Sequence, residues 1–293
     1  VNATATATVS QVASSVTLAP TSLSFTSIDD TTTLVPTVRD ANNNTISGAT
    51  VTWATSSSSV ATVSSAGLVT AVANGSATIT ATSGSVNATA TATVSQAAAS
   101  VTLAPTSLSF ASVDDTTTLV PTVKDANNNT IPSPTVTWAT SSSSIATVSS
   151  AGLVTAVANG SATITATSGS VNATATATVS QVASSVTLSP TSLSFSSLSD
   201  TATLVPTVKD ANNNTIPSPT VTWATSAEGV ATVSSAGLVT SVASGTATIT
   251  VTSGSVNATA TATVSDFLLA ANGVTVICSA ADVGETGDIG GVT

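Results

Sequence analysis

Apolar and polar residues alternate along most of the chain, in short runs separated by turn-forming residues. Residues 86–94 read Val-Asn-Ala-Thr-Ala-Thr-Ala-Thr-Val, so every second residue is apolar. A period of two is typical of a β-strand with one buried face, because successive side chains of a strand point to opposite sides of the sheet. We find no segment with the period of about 3.6 residues that marks an amphipathic helix. The pattern therefore predicts an all-β fold.

Eight strands are predicted between residues 11 and 95. They lie at 15–19, 22–25, 32–38, 49–55, 60–64, 67–73, 76–82 and 85–95. Turn-forming residues such as Pro20, Gly67 and Gly75 separate them. Pro36 falls inside the predicted strand 32–38, and because proline has no N–H to give to a sheet, we expect a local break there. Many short strands at this spacing indicate a β-sandwich.

The whole pattern repeats every 85 residues without an insertion. Equivalent positions carry the same residues, namely Trp53, Trp138 and Trp223; Phe25, Phe110 and Phe195; and Gly75, Gly160 and Gly245. Three complete units follow from this register, at 11–95, 96–180 and 181–265. Residues 1–10 repeat 86–95 and are predicted to be the last strand of a preceding unit. Residues 266–293 depart from the repeat and are predicted to begin a different module.

The parity of each strand predicts which side chains face the core. Ala77, Ile79 and Ala81 share one face, while the threonines between them share the other, so the outer surface is expected to be rich in hydroxyl groups. The aromatic core candidates are Trp53, Trp138, Trp223, Phe25, Phe110 and Phe195, with Leu34 and Leu68 as aliphatic candidates in the first unit. One Trp and one Phe per unit make a small core, and we expect each unit to gain stability from its neighbours.

The amino-acid composition argues against several classes of function. The chain has no His, Tyr or Met, one Cys, 5% charged residues and a net charge of −10. General acid–base catalysis and metal sites usually need His, Cys or clustered carboxylates, so we expect no enzyme activity and no cofactor. Three basic residues are too few to neutralise nucleic acid phosphates. The apolar runs are far shorter than the roughly 20 residues that span a bilayer, and no membrane insertion is expected.

The order of the sequence blocks resembles a known family. VTLAPTSLSF, LVPTVKDANNNT and VTWATSSSSVATVSSAGLVTAVANGSATITATSG occur in this order in the repeats. Together they resemble the bacterial immunoglobulin-like domains of group 2, over residues 11–265. The resemblance implies tandem immunoglobulin-like β-sandwich modules in a linear array, of the kind found in bacterial surface proteins, with no catalytic residues.

The tail carries a second resemblance. Residues 271–293 resemble the segment that precedes leucine-rich repeats in BspA-type bacterial surface proteins, which implies that another module follows. Cys278 lies in this segment as the single cysteine of the chain. We interpret it as a buried residue or as one half of a disulfide rather than as a reactive thiol, because no His or cationic residue is near it in sequence.

Acidic residues recur at fixed places in the units and are candidate calcium ligands. The candidates are Asp29, Asp30, Asp114, Asp115 and Asp200, and Asp40, Asp125 and Asp210 form a second recurring position. Calcium binds six to eight oxygen atoms, often from several carboxylates, and rigidifies tandem surface modules at their junctions. The alternative is that these aspartates cap turns, where Asp is equally favoured.

A second candidate site is a modification site. Thr31, Thr116 and Thr201 each follow an aspartate, in a pattern that resembles a short bacterial O-glycan acceptor. Sequons such as Asn87-Ala88-Thr89 also occur on the predicted exposed face, but in a bacterial protein this motif is mostly accidental. Both glycan interpretations predict a native mass above that of the bare sequence.

The function predicted from these observations is that of an extracellular stalk at the cell surface, which holds another domain away from the cell. The linkers at 95–100 and 180–185 contain no Gly or Pro, unlike a flexible tether. The expected partners are neighbouring modules of the same chain, and other copies of the protein are a second candidate. Two alternatives stay open: direct adhesion of the modules to a glycan or host surface, and a self-assembling fibre in which residues 1–10 add a strand to another molecule.

Overall fold

The computed structural model describes residues 2–6, 10–265, 267–269 and 275–277, and within them the chain is all β. Each unit has nine strands. In the first unit (unit 1) these are β1 (Ser15–Ala19), β2 (Ser22–Phe25), β3 (Thr31–Thr33), β4 (Val35–Arg39), β5 (Thr52–Thr55), β6 (Ala61–Val63), β7 (Leu68–Ala71), β8 (Gly75–Ser83) and β9 (Val86–Val94).

The second and third units (unit 2 and unit 3) repeat these strands at equivalent positions. Unit 2 has β10 (Ser100–Ala104), β11 (Ser107–Phe110), β12 (Thr116–Thr118), β13 (Val120–Lys124), β14 (Thr137–Thr140), β15 (Ala146–Val148), β16 (Leu153–Ala156), β17 (Gly160–Ser168) and β18 (Val171–Val179). Unit 3 has β19 (Ser185–Ser189), β20 (Ser192–Phe195), β21 (Thr201–Thr203), β22 (Val205–Lys209), β23 (Thr222–Thr225), β24 (Ala231–Val233), β25 (Leu238–Ser241), β26 (Gly245–Ser253) and β27 (Val256–Val264). Two short strands follow, β28 (Phe267–Leu269) and β29 (Thr275–Ile277).

Three sheets build each unit. In unit 1 a four-stranded sheet has the order β2-β9-β8-β5, a three-stranded sheet has the order β3-β7-β6, and β1 pairs with β4. All pairs in unit 1 are antiparallel except β2 and β9, which run parallel from Ser22 opposite Thr91 to Phe25 opposite Val94. The first and last parts of a unit are therefore hydrogen-bonded side by side.

Buried residues from all three sheets form one core per unit. In unit 1 the core consists of Val16, Leu18, Leu23, Phe25, Leu34, Val38, Ala61, Val69, Ala71, Ala77, Ile79, Ala81, Ala90, Ala92 and Val94. Six of these fifteen are alanines, which bury little apolar area each, so the core is small. Phe25, Phe110 and Phe195 are buried, whereas Trp53, Trp138 and Trp223 are half-buried and pack against the core.

Two details differ from the sequence-based expectations. The predicted strand 32–38 is wrong, because the chain passes from the β3 sheet to the β1-β4 sheet at Leu34, whose side chain is buried and whose N–H donates to the Gly67 carbonyl at 2.9 Å. The break lies there and not at Pro36, which fits inside β4 because this strand belongs to a two-stranded sheet and is an edge. Leu68 is also not a core residue; it is 39% exposed, and its neighbour Val69 faces the core instead.

The ends of the chain leave two predictions untested. Residues 2–6 and 10 are exposed and lie in no strand, and the interpretation of 1–10 as the last strand of a preceding unit stays a prediction. Cys278 and most of 266–293 lie outside the described residues, so the predicted leucine-rich-repeat module also stays a prediction. The described part of the chain contains no helix, and so none that could cross a membrane.

Candidate functional site at the junctions between units

The linker between units 1 and 2 is bonded to both of them. The N–H of Gln96 donates to Asn74 Oδ1 at 2.8 Å, and the N–H of Ala97 donates to the Thr26 carbonyl at 2.8 Å, so both are tied to unit 1. Two residues later the N–H of Ala99 donates to the Lys124 carbonyl of unit 2, also at 2.8 Å. The linker therefore has little freedom to act as a hinge.

Two loops meet beside this linker. One, the exit loop, precedes β3 and comprises residues 27–30 in unit 1, 112–115 in unit 2 and 197–200 in unit 3. The other, the entry loop, follows β4 and comprises residues 40–44, 125–129 and 210–214. At each junction the exit loop of one unit contacts the entry loop of the next.

The entry loop is shaped by its own sequence. Asp125 Oδ1 accepts hydrogen bonds from the N–H groups of Asn127 at 3.1 Å and Asn129 at 2.9 Å, which closes a tight turn. Asn128 has a φ of 67°, a left-handed conformation that asparagine tolerates better than most residues. The Asp-Ala-Asn-Asn-Asn sequence thus fixes the loop and points the side chains of Asn127 and Asn129 toward unit 1.

Asp125 also binds across the junction with its second oxygen. Asp125 Oδ2 accepts hydrogen bonds from the N–H of Ile28 at 2.9 Å and from Nε2 of Gln96 at 2.8 Å. Asp125 is 3% exposed, and every hydrogen bond that its carboxylate accepts comes from an N–H donor. A buried carboxylate of this kind stabilises its surroundings only while it is charged and fully hydrogen-bonded.

The two asparagine side chains complete the contact. Asn127 Nδ2 donates to the Ile28 carbonyl at 2.7 Å and to Asp30 Oδ1 at 3.0 Å. Asn129 Nδ2 donates to the Ile28 carbonyl and to Asp29 Oδ2, each at 3.2 Å. Together with the bond from the Ile28 N–H to Asp125, five hydrogen bonds join the two loops.

The second junction repeats the first bond for bond. Asp210 Oδ2 accepts from the N–H of Val113 at 2.9 Å and from Gln181 Nε2 at 2.8 Å. Asn212 Nδ2 donates to the Val113 carbonyl and Asp115 Oδ1, and Asn214 Nδ2 donates to the same carbonyl and to Asp114 Oδ2. A contact reproduced at two places in one chain is a property of the repeat.

The two loops that meet no other loop among the described residues show what the contact buries. Asp40, in the entry loop of unit 1, is only half-buried, while Asp125 and Asp210 are 3% and 2% exposed. Ser27 and Ser112 are buried in the exit loops of units 1 and 2, while Ser197 is exposed and its neighbour Leu198 is 45% exposed in unit 3. Burial of both loops therefore follows from the contact between units.

The hydrogen bonds also set the charge of the junction. Burial of Asp125 favours the neutral acid, but hydrogen bonds from the Gln96 side chain and the N–H groups of Ile28, Asn129 and Asn127 outweigh this and lower its pKa below the ordinary 3.8. The pKa of Asp210 is lowered for the same reasons by its equivalent partners. Both carboxylates are thus charged at neutral pH.

Four of the calcium candidates lie at the junctions, and calcium binding by them stays a prediction. Asp29, Asp30, Asp114 and Asp115 lie in exit loops, and at the junctions their outward oxygens accept hydrogen bonds from asparagine amides. Asp200 lies in the exit loop of unit 3, where Oδ2 accepts from the N–H of Ser197 at 3.1 Å. Across the described residues, no three His, Cys, Asp or Glu side chains are grouped so that they could hold a metal ion.

The threonine candidates are exposed. Thr31, Thr116 and Thr201 each begin the strand that follows an exit loop, with their side chains exposed. Their modification stays a prediction, as do the other glycan sites.

Sequence reasoning missed the entry loops as binding elements. Turn capping accounted for Asp40, Asp125 and Asp210, and each does cap its turn, but the bond from the second oxygen to another unit was not foreseen. Two loop sequences that recur within the chain could have indicated this contact. The exit loop reads Ser-apolar-Asp-Asp in units 1 and 2, and the entry loop reads Asp-Ala-Asn-Asn-Asn in every unit. Only the fold shows that these two loops face each other.

Each of the three repeats matches the model of a known protein family. The model of the bacterial Ig-like domain (group 2) matches residues 12–94, 97–179 and 182–264. A search of curated protein sequences gave no match.

Three solved structures illustrate the proteins to which the chain is similar. Domains 1–6 of the surface layer protein SbsC share 22% identity over 91% of this chain and 44% of that chain, with a TM-score of 0.29. FdeC, an Escherichia coli adhesin, shares 18% identity over 89% of this chain and 99% of that chain, with a TM-score of 0.35. Invasin, a bacterial integrin-binding protein, shares 16% identity over 89% of this chain and 62% of that chain, with a TM-score of 0.37. The chain spans less than half of the SbsC structure.

Proposed function

The chain belongs to the bacterial Ig-like domain (group 2) family, and we propose that it is a stiff extracellular spacer that holds another domain away from the cell surface. The observation that carries this proposal is the repeated junction. Both described junctions use the same five hydrogen bonds between loops, with a buried, charged aspartate at the centre. A specific polar contact of this kind fixes the orientation of one unit on the next, which is what a spacer needs.

The linkers support the same role. Each is short, lacks Gly and Pro, and is hydrogen-bonded first to the unit behind it and then to the unit ahead. Gly/Ser-rich linkers behave instead as flexible coils. Residues 180–184 repeat the arrangement, since the N–H of Val182 donates to the Ala111 carbonyl and that of Ser184 to the Lys209 carbonyl, both at 2.8 Å.

The surface fits an exposed position outside the cell. Outward residues of the long strands β8 and β9 are mostly threonines, and their equivalents in units 2 and 3 are the same or similar. The three basic residues of the chain offer trypsin-like proteases few cleavage sites. Direct adhesion and strand addition between molecules remain alternative predictions, as does calcium binding.

Two measurements test the proposed function. An antibody against the repeats should label intact cells of the producing organism, and negative-stain images of the purified chain should show rods of uniform shape. Labelling that requires broken cells would contradict the extracellular location. Images of beads joined by bends of every angle would contradict the stiffness.

A further inference from the structure

The entry loop of unit 1 has the geometry of the two loops that are engaged at junctions. Asp40 Oδ1 accepts the N–H groups of Asn42 and Asn44, both at 2.9 Å, as Asp125 and Asp210 do in their own loops. Gln11 Nε2 donates to Asp40 Oδ2 at 3.0 Å, as Gln96 does to Asp125. The loop is therefore formed before any partner binds it.

The entry loop of unit 1 differs from the other two in the hydrogen bonds of its last asparagine side chain. At the junctions, Nδ2 of Asn129 and Asn214 donates to the exit loop of the preceding unit. In unit 1 the equivalent amide, Asn44 Nδ2, turns back to Asp40 Oδ2 at a long 3.4 Å. Asp40 is half-buried for the same reason, since no exit loop covers it in the described part of the chain.

We infer that the entry loop of unit 1, with Gln11, is a docking surface for the exit loop of a further unit of the same kind, and that this unit is the one whose last strand is residues 1–10. The inference rests on the proposed function, because it extends the same junction by one unit. The partner is defined by chemistry: a Ser-apolar-Asp-Asp loop that offers one backbone N–H, one carbonyl and two carboxylates.

The sequence of residues 1–10 points to a partner within the same chain. These residues are identical to 86–95 and 171–180, which are the strand and the serine that precede Gln96 and Gln181 at the two junctions. Gln11 follows them in the same way. A covalently linked partner also has the advantage of a high effective concentration at the loop.

The exit loop of unit 3 is a poorer partner for this surface. Ser199 replaces the aspartate found at 29 and 114, although its φ of 64° keeps the loop in the same conformation. The bond equivalent to that between Asn129 Nδ2 and Asp29 Oδ2 would be lost, and a second copy of the chain would supply no linker bonds. End-to-end docking of whole copies is therefore disfavoured relative to docking of a preceding unit.

Hydrogen exchange of one backbone amide tests the inference. Ile28 and Val113 donate to the junction aspartates, while the equivalent Leu198 lies in the exposed exit loop of unit 3. In the 293-residue chain, labelled on Ile, Val and Leu, the amides of Ile28 and Val113 should exchange about tenfold more slowly than that of Leu198. These three rates calibrate the assay.

The chain is then extended by placing a copy of residues 11–85 ahead of Val1, with the added unit alone labelled by segmental ligation. The added copy of Ile28 should exchange as slowly as Ile28 itself. Asp40→Asn in the extended chain should raise its rate to that of Leu198, because the amide of the new residue cannot accept both N–H donors. As a matched control, Asp200→Asn should leave the rate unchanged.

The outcomes separate the inference from the proposed function. Fast exchange of the added amide, with Ile28 and Val113 slow, overturns the docking surface and leaves the junctions intact. Fast exchange at Ile28 and Val113 as well overturns the junction itself. Protection of Leu198 that grows with protein concentration would mean that a second copy docks, and it would overturn the assignment to a preceding unit.

Discussion

Gly67 shows how closely single residues are fitted in each unit. Its φ of +80° lies in the left-handed region, and a Cβ there would lie 2.7 Å from the Leu34 carbonyl oxygen and 2.8 Å from Cζ2 of Trp53. In units 2 and 3, a Cβ at Gly152 or Gly237 would meet the equivalent leucine carbonyl and tryptophan ring at similar distances. The half-buried tryptophan thus packs against backbone that only glycine can provide.

Gly67→Ala should destabilise unit 1 by about 3 kcal/mol, because the new methyl group meets both steric overlap and left-handed strain. Gly84→Ala is the matched control: its φ is +60°, but no atom lies within 4 Å of the added Cβ, so strain alone should cost about 1 kcal/mol. Calorimetry of the whole chain should show one unit melting earlier in the first variant. Equal shifts for both variants would contradict the fit against Trp53.

Asp125→Asn tests the central residue of the junction. The amide retains one oxygen for the turn but turns its NH₂ group toward the Ile28 N–H and Gln96 Nε2, leaving those donors without an acceptor. The coupling between units 1 and 2 should fall by about 2 to 4 kcal/mol, measured as the loss of stability that unit 1 gains from unit 2. Asp40→Asn changes the same loop in unit 1 and should leave that coupling unchanged.

The junction should also respond to acid but not to physiological changes of pH. Because the folded pKa values of Asp125 and Asp210 are lowered, their contribution is complete above the ordinary 3.8 and is lost as the pH falls through the lowered values. The chain has no His that would titrate between about pH 5 and 8. Protection of the Ile28 amide should therefore be constant across that range and fall below about pH 4. A loss of protection near pH 6 would contradict this account.

At the scale of elements, we expect the parallel pair β2 and β9 to carry much of the load when a unit is stretched. A force that pulls the start of β2 away from the end of β9 acts along both strands, so their hydrogen bonds are sheared together instead of opening one at a time. The bonds from the N–H of Thr91 to the Thr21 carbonyl and from that of Ser95 to the Phe25 carbonyl, both 3.0 Å, mark the two ends of this pair.

Thr91→Pro should lower the unfolding force of one unit in a single-molecule pulling experiment, because it removes the bond at one end of the sheared pair. Ser14→Pro removes a comparable bond, from the Ser14 N–H to the Arg39 carbonyl at 2.8 Å, outside that pair and should leave the force unchanged. Units 2 and 3 serve as internal references in both variants. Equal forces for the two variants would contradict a load carried by β2 and β9.

The same elements show what the sequence could predict. The alternation of β8 and β9 identified both strands and their buried faces, because alanine and threonine differ enough in polarity for parity to be read. In β7 the alternation did not identify the buried face, because Leu68 and Val69 are both apolar. Which of the two side chains faces the core depends on how the strand sits in its sheet. The break at Leu34 escaped prediction because the chain changes sheets there, and a local pattern does not show where a second sheet lies.

At the scale of the whole molecule, the repeat turns one loop contact into a property of the array. The candidate site could be predicted only in part: the aspartates were recognised, but the pairing of exit and entry loops joins residues about 100 positions apart, such as Ile28 and Asn129. Identical spacing in every unit makes the pairing recur at each junction. In the proposed function, the stiffness of the array depends on how well each junction resists bending.

A distance measurement between units 1 and 2 tests whether the junctions hold neighbouring units in a fixed orientation. Spin labels on cysteines at the exposed positions Thr78 and Thr163, in a chain with Cys278→Ser, report the separation of units 1 and 2. Pulsed electron resonance should give one narrow distance distribution for this chain and for its Asp40→Asn variant, and a broad one for Asp125→Asn. A broad distribution in the chain with Asp125 intact would contradict a stiff array held by its junctions.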